Sequence, residues 1–285
     1  MLPFYPEPDE ALFGFIVRCA RCLGQSLSEF RNMLGAKHQL RECCSDGWGG
    51  GIAAHCGLDP KMLLEQHTAF KVQLFFCAEA ERQLFYQESF LRPTVPYRYT
   101  PFSCKENLTR YHIRFCRKCA AEDMRTVGIP IIRNSWQLPF IDHCSKHKTG
   151  LSWLDVKALE TFMRNGRCPA FETNYQYVRC PQEEVLQRWI QQIMAAEQLP
   201  DIRFHKIYKY LISHCTVGTK IFLPYVYYYY VRQDYAEKSF YKSSALQFIP
   251  SKQSWQLLYV LSQIFPERNI IDLMQSIRND SFLSD

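Results

Sequence analysis

Two short pairs of sulfur and imidazole residues, Cys116-x-x-Cys119 and Cys144-x-x-His147, constrain this chain more than any other feature. Zinc takes four tetrahedral sulfur and nitrogen ligands, and structural sites commonly draw them as two close pairs from two knuckles. The pairs are separated by 24 residues, so one shared ion would force two distant stretches of chain to meet. The intervening GIPIIRNSWQLPF reads as strands or irregular backbone packed beside the site. The pattern is nearer to a zinc ribbon than to a finger, whose histidines come as a spaced pair. His143 adjoins Cys144, but choosing it would abandon the two-residue spacing that singles out His147. The competing reading is four unrelated thiols and imidazoles in a cysteine-rich chain.

If all four ligands come from protein, no open position is left for water, and the zinc is structural and not catalytic. The deaminase arrangement needs His-x-Glu with a Pro-Cys-x-x-Cys partner, and no His-x-Glu occurs here. His-Glu-x-x-His, the phosphate-cradling Gly-x-x-x-x-Gly-Lys-Ser/Thr loop and the Gly-x-Ser-x-Gly elbow are likewise missing from the sequence. Asp123, Asp142 and Asp155 are acids of the kind that hold magnesium, but nothing selects them from solvated loop residues. A second zinc would need an irregular set from Cys104, His112, Cys168 and Cys180, for which buried thiols are the simpler account. Cys19-x-x-Cys22 has no matching second pair and reads as two ordinary thiols.

Charge is unevenly distributed. The formal net charge of +6 arises almost wholly between residues 101 and 180, where 13 Lys/Arg face 7 Asp/Glu. Residues 1–100 balance at −1 and residues 181–285 at +1. Positive charge beside a rigid surface is the footprint of phosphate contact, although a solubilising face has the same composition. The candidate nucleic-acid contacts are Arg114, Arg117, Lys118, Arg133, Lys146 and Lys148. The opening MLPFYPEPDEALFGF is acidic and proline-rich where a secretory signal needs a basic region. The apolar stretch from Ile221 to Val231 is too short to span a bilayer. A cytoplasmic location without membrane contact is therefore expected, and the 13 cysteines read as thiols and metal ligands.

Hydrophobic periodicity divides the chain into three segments. Residues 1–100 form an N-terminal helical region. Leu12, Phe13, Ile16, Val17 and Ala20 share one helical face, and Gly24 is its stop. LSEFRNMLG is a short helix ended by Gly35. Ile52 to Cys56 reads as a helix with Ala53 and Ala54 on its surface. A turn at Gly57-Leu58 follows, then a helix capped by Asp59 with Pro60 at its first position. That layout is helix-turn-helix-like. Its second helix offers Lys61 and Gln66 to DNA but also the repelling Glu65. FLRPTVPYRYTPF reads as a linker into the zinc-binding module, residues 101–180. Residues 181–285 are helical again, from EEVLQRWIQQIMAAE to IIDLMQSI. The tyrosine-rich stretch Tyr225 to Tyr230 suits either an aromatic interface or buried helix packing. The expected fold is mainly α, with a small α/β zinc-ribbon-like module between an N-terminal helix-turn-helix-like region and a C-terminal helical region.

The zinc segment carries a family resemblance. RFCRKCAAED followed by RNSWQLPFIDHCSKHKTGL resembles the TniQ pattern of Cys-x-x-Cys, then aromatic-Leu-Pro, then Cys-x-x-His-Gly-x-Leu. LPFYPEPDEALFGFIVRCA is similar to the family's opening, and LLEQHTAF to its TnsD-like end; the likeness is good over about residues 1–155. By that match Cys116, Cys119, Cys144 and His147 take the zinc-ligand roles. The resemblance implies a non-catalytic adaptor for DNA transposition that helps choose the insertion site and recruits an AAA+ ATPase regulator and, through it, the transposase. Some members bind an attachment site in DNA themselves, others sit on an RNA-guided CRISPR effector, and certain members form homodimers. Here His147 is followed by Lys148-Thr149-Gly150 and not directly by glycine, and the family's frequent second zinc module has only a weak downstream cysteine pattern. Two alternatives stay open beside the adaptor: a TnsD-like direct binder of an attachment site, and a zinc-containing helix-turn-helix transcription factor.

Overall fold

The computed structural model describes residues 4–36, 48–86, 112–137, 141, 143–155, 158–166, 181–202, 206–207, 209–211, 257–258, 261–262 and 264–280. Helix α1 (Leu12–Cys22) buries Leu12, Phe15, Ile16, Val17, Cys19 and Ala20. Gly24, at φ 68°, ends it, with the Gly24 and Gln25 N–H groups donating to Arg21 O and Ala20 O, each at 2.9 Å. Helix α2 (Leu27–Met33) starts at a reciprocal cap in which Ser26 and Glu29 satisfy each other's backbone N–H. Helix α3 (Trp48–Cys56) leads through Gly57 (φ 67°) to α4 (Pro60–His67). Asp59 caps α4 by accepting from the Lys61 and Met62 N–H groups at 3.0 and 3.3 Å. The helix, glycine turn and capped helix are thus present. One detail differs: Ala53 is not on the surface but 2 % exposed, while its neighbour Ala54 is exposed. Ala53 belongs to the buried apolar cluster shared with α1 and α4, while on another face of α3 a Cβ on Gly51 would lie 2.7 Å from Leu34 O at the end of α2. Two short helices, α5 (Phe70–Gln73) and α6 (Glu79–Phe85), follow.

Strand β1 (His112–Phe115) runs straight into Cys116 and helix α7 (Arg117–Thr126). The two-residue strands β2 (His143–Cys144) and β3 (Thr149–Gly150) form a hairpin, and β4 (Ser152–Asp155) returns antiparallel to β1. Register pairs Ile113 with Leu154 and Arg114 with Trp153. Helix α8 (Leu159–Asn165) closes the module, its Phe162 ring 4.5 Å from that of Phe115. Between α7 and β2 the described residues, 127–137 and 141, are mostly irregular, with one bridge (Glu10 to Arg133) and a short 3-10 turn at Ser135–Gln137. Their backbone is held by side chains: Gln137 accepts from Arg114 N at 3.1 Å and donates to Arg114 O at 2.7 Å, and Asn134 Nδ2 donates to Thr68 O at 2.9 Å.

Buried apolar side chains form two clusters. The first joins α1, α3 and α4 to the module, from Phe15, Ile16, Ile52 and Leu63 to Phe115, Cys116, Cys144 and Phe162. The second is built on α9 (Pro181–Ala195) and α10 (Ile270–Asn279), with Leu186, Trp189, Ile190, Ile193, Leu273 and Ile277 meeting Val72, Phe75 and Ile141. Described residues between 206 and 211 and between 257 and 264 add further helical pieces to it. Lys71 Nζ donates to Met194 O and Ala196 O at 3.2 and 2.9 Å, placing a cation at the carboxyl end of α9, where the helix dipole favours it. The linker reading at residues 90–102, the tyrosine stretch at 225–230, and Cys104, Cys168 and Cys180 lie outside the described residues. Among those described, no helix is long and apolar enough to cross a membrane.

Candidate metal centre

The first knuckle arises where an extended strand changes to a helix. Phe115 is buried in the first core, Cys116 is the extended residue preceding α7, and Cys119 lies in the first turn of that helix. A helix start is a favourable place for thiolates, because unpaired N–H groups and the macrodipole stabilise negative charge there. The second knuckle is the β2–β3 hairpin, closed by the Lys148 N–H donating to Cys144 O at 2.8 Å. Lys148 stands at φ 51°, a left-handed conformation that suits glycine better. The departure from a directly following glycine is therefore accommodated by a strained lysine, and the knuckle retains its shape.

Together the knuckles bring Cys116, Cys119, Cys144 and His147 to one place, with their ligand atoms all within 4.8 Å of one another. The three cysteines are buried and His147 is partly so. Cys119 Sγ lies 3.7 Å from Cys144 Sγ. His147 Nδ1 lies 3.5, 3.2 and 3.7 Å from the sulfurs of Cys116, Cys119 and Cys144. A tetrahedron with Zn–S of about 2.3 Å and Zn–N of about 2.05 Å has edges of about 3.8 Å between sulfurs and about 3.6 Å between sulfur and nitrogen. The donor set is compatible with zinc in element and number, and these four separations lie within about 0.4 Å of those edges. His143 is turned away from the cluster, its ring facing Gln187 Nε2 of α9 at 3.3–3.4 Å.

Electrostatics point the same way. Burial by itself would raise the Cys116 thiol, but hydrogen bonding from the Cys119 N–H, Thr149, His147 and Cys144 outweighs it and holds Cys116 below the usual thiol range. Cys119 is pushed strongly upward, by burial and then by the neighbouring charges of Cys116 and Cys144. Three thiolates at this separation cannot all ionise without a cation, and a divalent metal would supply that charge.

Of the six proposed nucleic-acid contacts, Arg114 lies in the interior. It is 4 % exposed, its Nη1 donates to Ile141 O at 2.8 Å, and its guanidinium lies 5.7 Å from the centre of the Trp153 ring. A long cationic side chain here serves to satisfy a buried carbonyl. Arg133 is half-buried and committed to Asp123 Oδ1 at 2.9 Å and Pro8 O at 3.3 Å. Asp123, named among possible magnesium ligands, is occupied by that pair and by the Ile131 N–H at 3.0 Å. Exposed Arg117, Lys118, Lys146 and Lys148 flank the two knuckles. Arg117 Nε donates to Ser152 Oγ at 3.0 Å, and Lys146 Nζ reaches Glu122 Oε2 at 2.5 Å. Cys19 is buried and Cys22 exposed, and neither belongs to the cluster.

Three structural partners were not visible in the spacing. Glu122 contacts His147, Asp9 accepts from both the N–H and hydroxyl of Ser135, and Glu10 is fully buried against Arg18. Only the acidic run Glu7-x-Asp9-Glu10 before an apolar helix marked the last two as unusual.

No curated protein matches the sequence. The family model for TniQ matches residues 3–151, just over half of the 285-residue chain, and that span contains the complete Cys/His cluster and the buried acidic opening. The chain therefore belongs to the TniQ family, a non-catalytic family involved in selecting targets for DNA transposition.

Proposed function

We propose that this protein is a zinc-stabilised adaptor that links target-site selection to recruitment of an AAA+ ATPase regulator and, through it, the transposase. The observation that carries the proposal is membership in the TniQ family over the span that builds the whole Cys/His cluster. One structural zinc is held by Cys116, Cys119, Cys144 and His147, supplying charge and a cross-link between the knuckles and no reactive water. Binding of this kind contributes about 10–16 kcal/mol in small zinc modules, much of it as folding free energy.

Target choice is proposed to rest mainly with a partner such as an RNA-guided CRISPR effector. Among the described residues exposed cations beside the knuckles are few, and α4 presents Lys61 within 3.8 Å of Glu65, which weakens its attraction for phosphate. Arg117, Lys118, Lys146 and Lys148 suit contacts to the DNA backbone, which add affinity without reading sequence. Co-purification from cells carrying the neighbouring genes tests this. The ATPase and a guide-RNA effector are expected to stay bound, and the isolated protein is expected to bind DNA with little preference. Binding of one DNA site some 10³-fold over random DNA at physiological salt would replace the adaptor with a TnsD-like direct reader.

A further inference from the structure

The imidazole of His147 has two nitrogens, and the surroundings treat them differently. Nδ1 faces the three sulfurs, at 3.2 to 3.7 Å. Nε2 points the other way, to Glu122 Oε1 at 3.0 Å. Glu122 belongs to α7, the helix that begins at the first knuckle, whereas His147 belongs to the second. The contact therefore spans the two halves of the cluster on the side opposite the sulfurs. The other carboxylate oxygen, Oε2, holds Lys146 Nζ at 2.5 Å. Glu122 is thus fixed at both oxygens even though its side chain is 33 % exposed.

We propose that Glu122 is a positioning residue for the metal centre: its carboxylate holds the proton of His147 on Nε2, leaving the Nδ1 lone pair directed at the three sulfurs. The proposal rests on the zinc reading above. A carboxylate accepting from the far nitrogen of a ligating histidine fixes ring and tautomer and makes the ligating nitrogen more basic, and removing such a partner costs 10–100-fold in metal affinity. Because Glu122 and His147 come from different knuckles, the same bond also pre-assembles the two ligand pairs before metal arrives. Lys146 neutralises the carboxylate on the solvent side, where three thiolates and one zinc already leave a net negative charge.

Zinc affinity of the full chain, measured by competition with a chromophoric chelator, tests the proposal. Glu122→Ala is expected to weaken zinc binding about 10–100-fold. Glu122→Gln, which keeps an acceptor but loses the charge, is expected to recover part of the loss. Lys146→Ala is expected to stay within about threefold of the parent, since the carboxylate–imidazole contact survives. The zinc-loaded parent should show a slowly exchanging His147 Nε2–H in nitrogen-edited NMR, and Glu122→Ala should lose it. Parent-like affinity in Glu122→Ala, or an equal loss in Lys146→Ala, would overturn the role of Glu122. Failure of the zinc reading looks different: the parent would bind no stoichiometric zinc, or zinc would persist after Cys116 and Cys119 are both replaced by serine.

Discussion

Arg18 sits on the buried face of α1 at a position where helical periodicity calls for an apolar residue. It is there because Glu10, just before the helix, is fully buried and needs a partner. The guanidinium meets both carboxylate oxygens, Nε to Oε1 at 2.9 Å and Nη2 to Oε2 at 2.7 Å, and Nη2 also reaches Tyr5 O at 2.7 Å. The Glu7 N–H adds a further bond to Oε2 at 2.8 Å. Even with these bonds Glu10 is held above the usual carboxylate range, because burial outweighs them. Replacing Arg18 by alanine would leave a buried carboxylate without its cation, which costs about 3–5 kcal/mol. Urea denaturation of Arg18→Ala should show a loss of that size. A loss below about 1 kcal/mol, within the range of surface pairs, would mean that the pair is solvated.

At the scale of elements, two non-glycine residues adopt left-handed backbone, Lys148 at φ 51° and Asp9 at φ 59°. Their side chains make the two positions opposite in consequence. Lys148 is exposed in the hairpin of the second knuckle, so Lys148→Gly removes a conformational cost and is expected to stabilise the protein by about 1 kcal/mol. Asp9 accepts from Ser135 N at 3.0 Å and Ser135 Oγ at 2.6 Å. Beside it the Asn134 N–H donates to Asp9 O and the Ala11 N–H to Ile132 O. Asp9→Gly relaxes the same backbone but loses those side-chain bonds, and a net loss of about 1–2 kcal/mol is expected. Thermal melting of the zinc-loaded variants should move them in opposite directions. A shift of the same sign would show that backbone conformation alone governs both sites.

For the whole molecule, the metal centre stands between the two cores. Cys116, Cys119 and Cys144 belong to the first, while Ile141, three residues before Cys144, belongs to the second, and His143 meets Gln187 of α9. Chelation of zinc is therefore expected to speed hydrogen exchange first in β1, β4 and α7, then at α1 through its contacts with residues 131–135, and also in the adjoining part of α9. Exchange confined to the knuckles would mean that the cores hold without metal.

Local patterns made much of this legible in the chain itself. The two-residue spacings marked the four residues that meet in the Cys/His cluster, apolar periodicity marked α1 and α9, and Gly24, Asp59 and Pro60 marked where helices stop and start. Such features act over a few residues, so they can be read without knowing what else is near. What the chain could not disclose is which distant side chains meet. Asp9 and Ser135 are separated by 126 positions, and Glu122 and His147 by 25. Arg114 read as a surface cation because its charge is visible and its burial is not. Only the packing of β1 against β4, Gln137 and Ile141 decides that it points at Ile141 O. The members of the Cys/His cluster and the helix boundaries were determined by sequence, because spacing and capping chemistry are local. The burial of Arg114, the latch at Asp9 and Glu10 and the partner of His147 were decided by tertiary structure, because desolvation and hydrogen-bond pairing depend on every element that converges on a site.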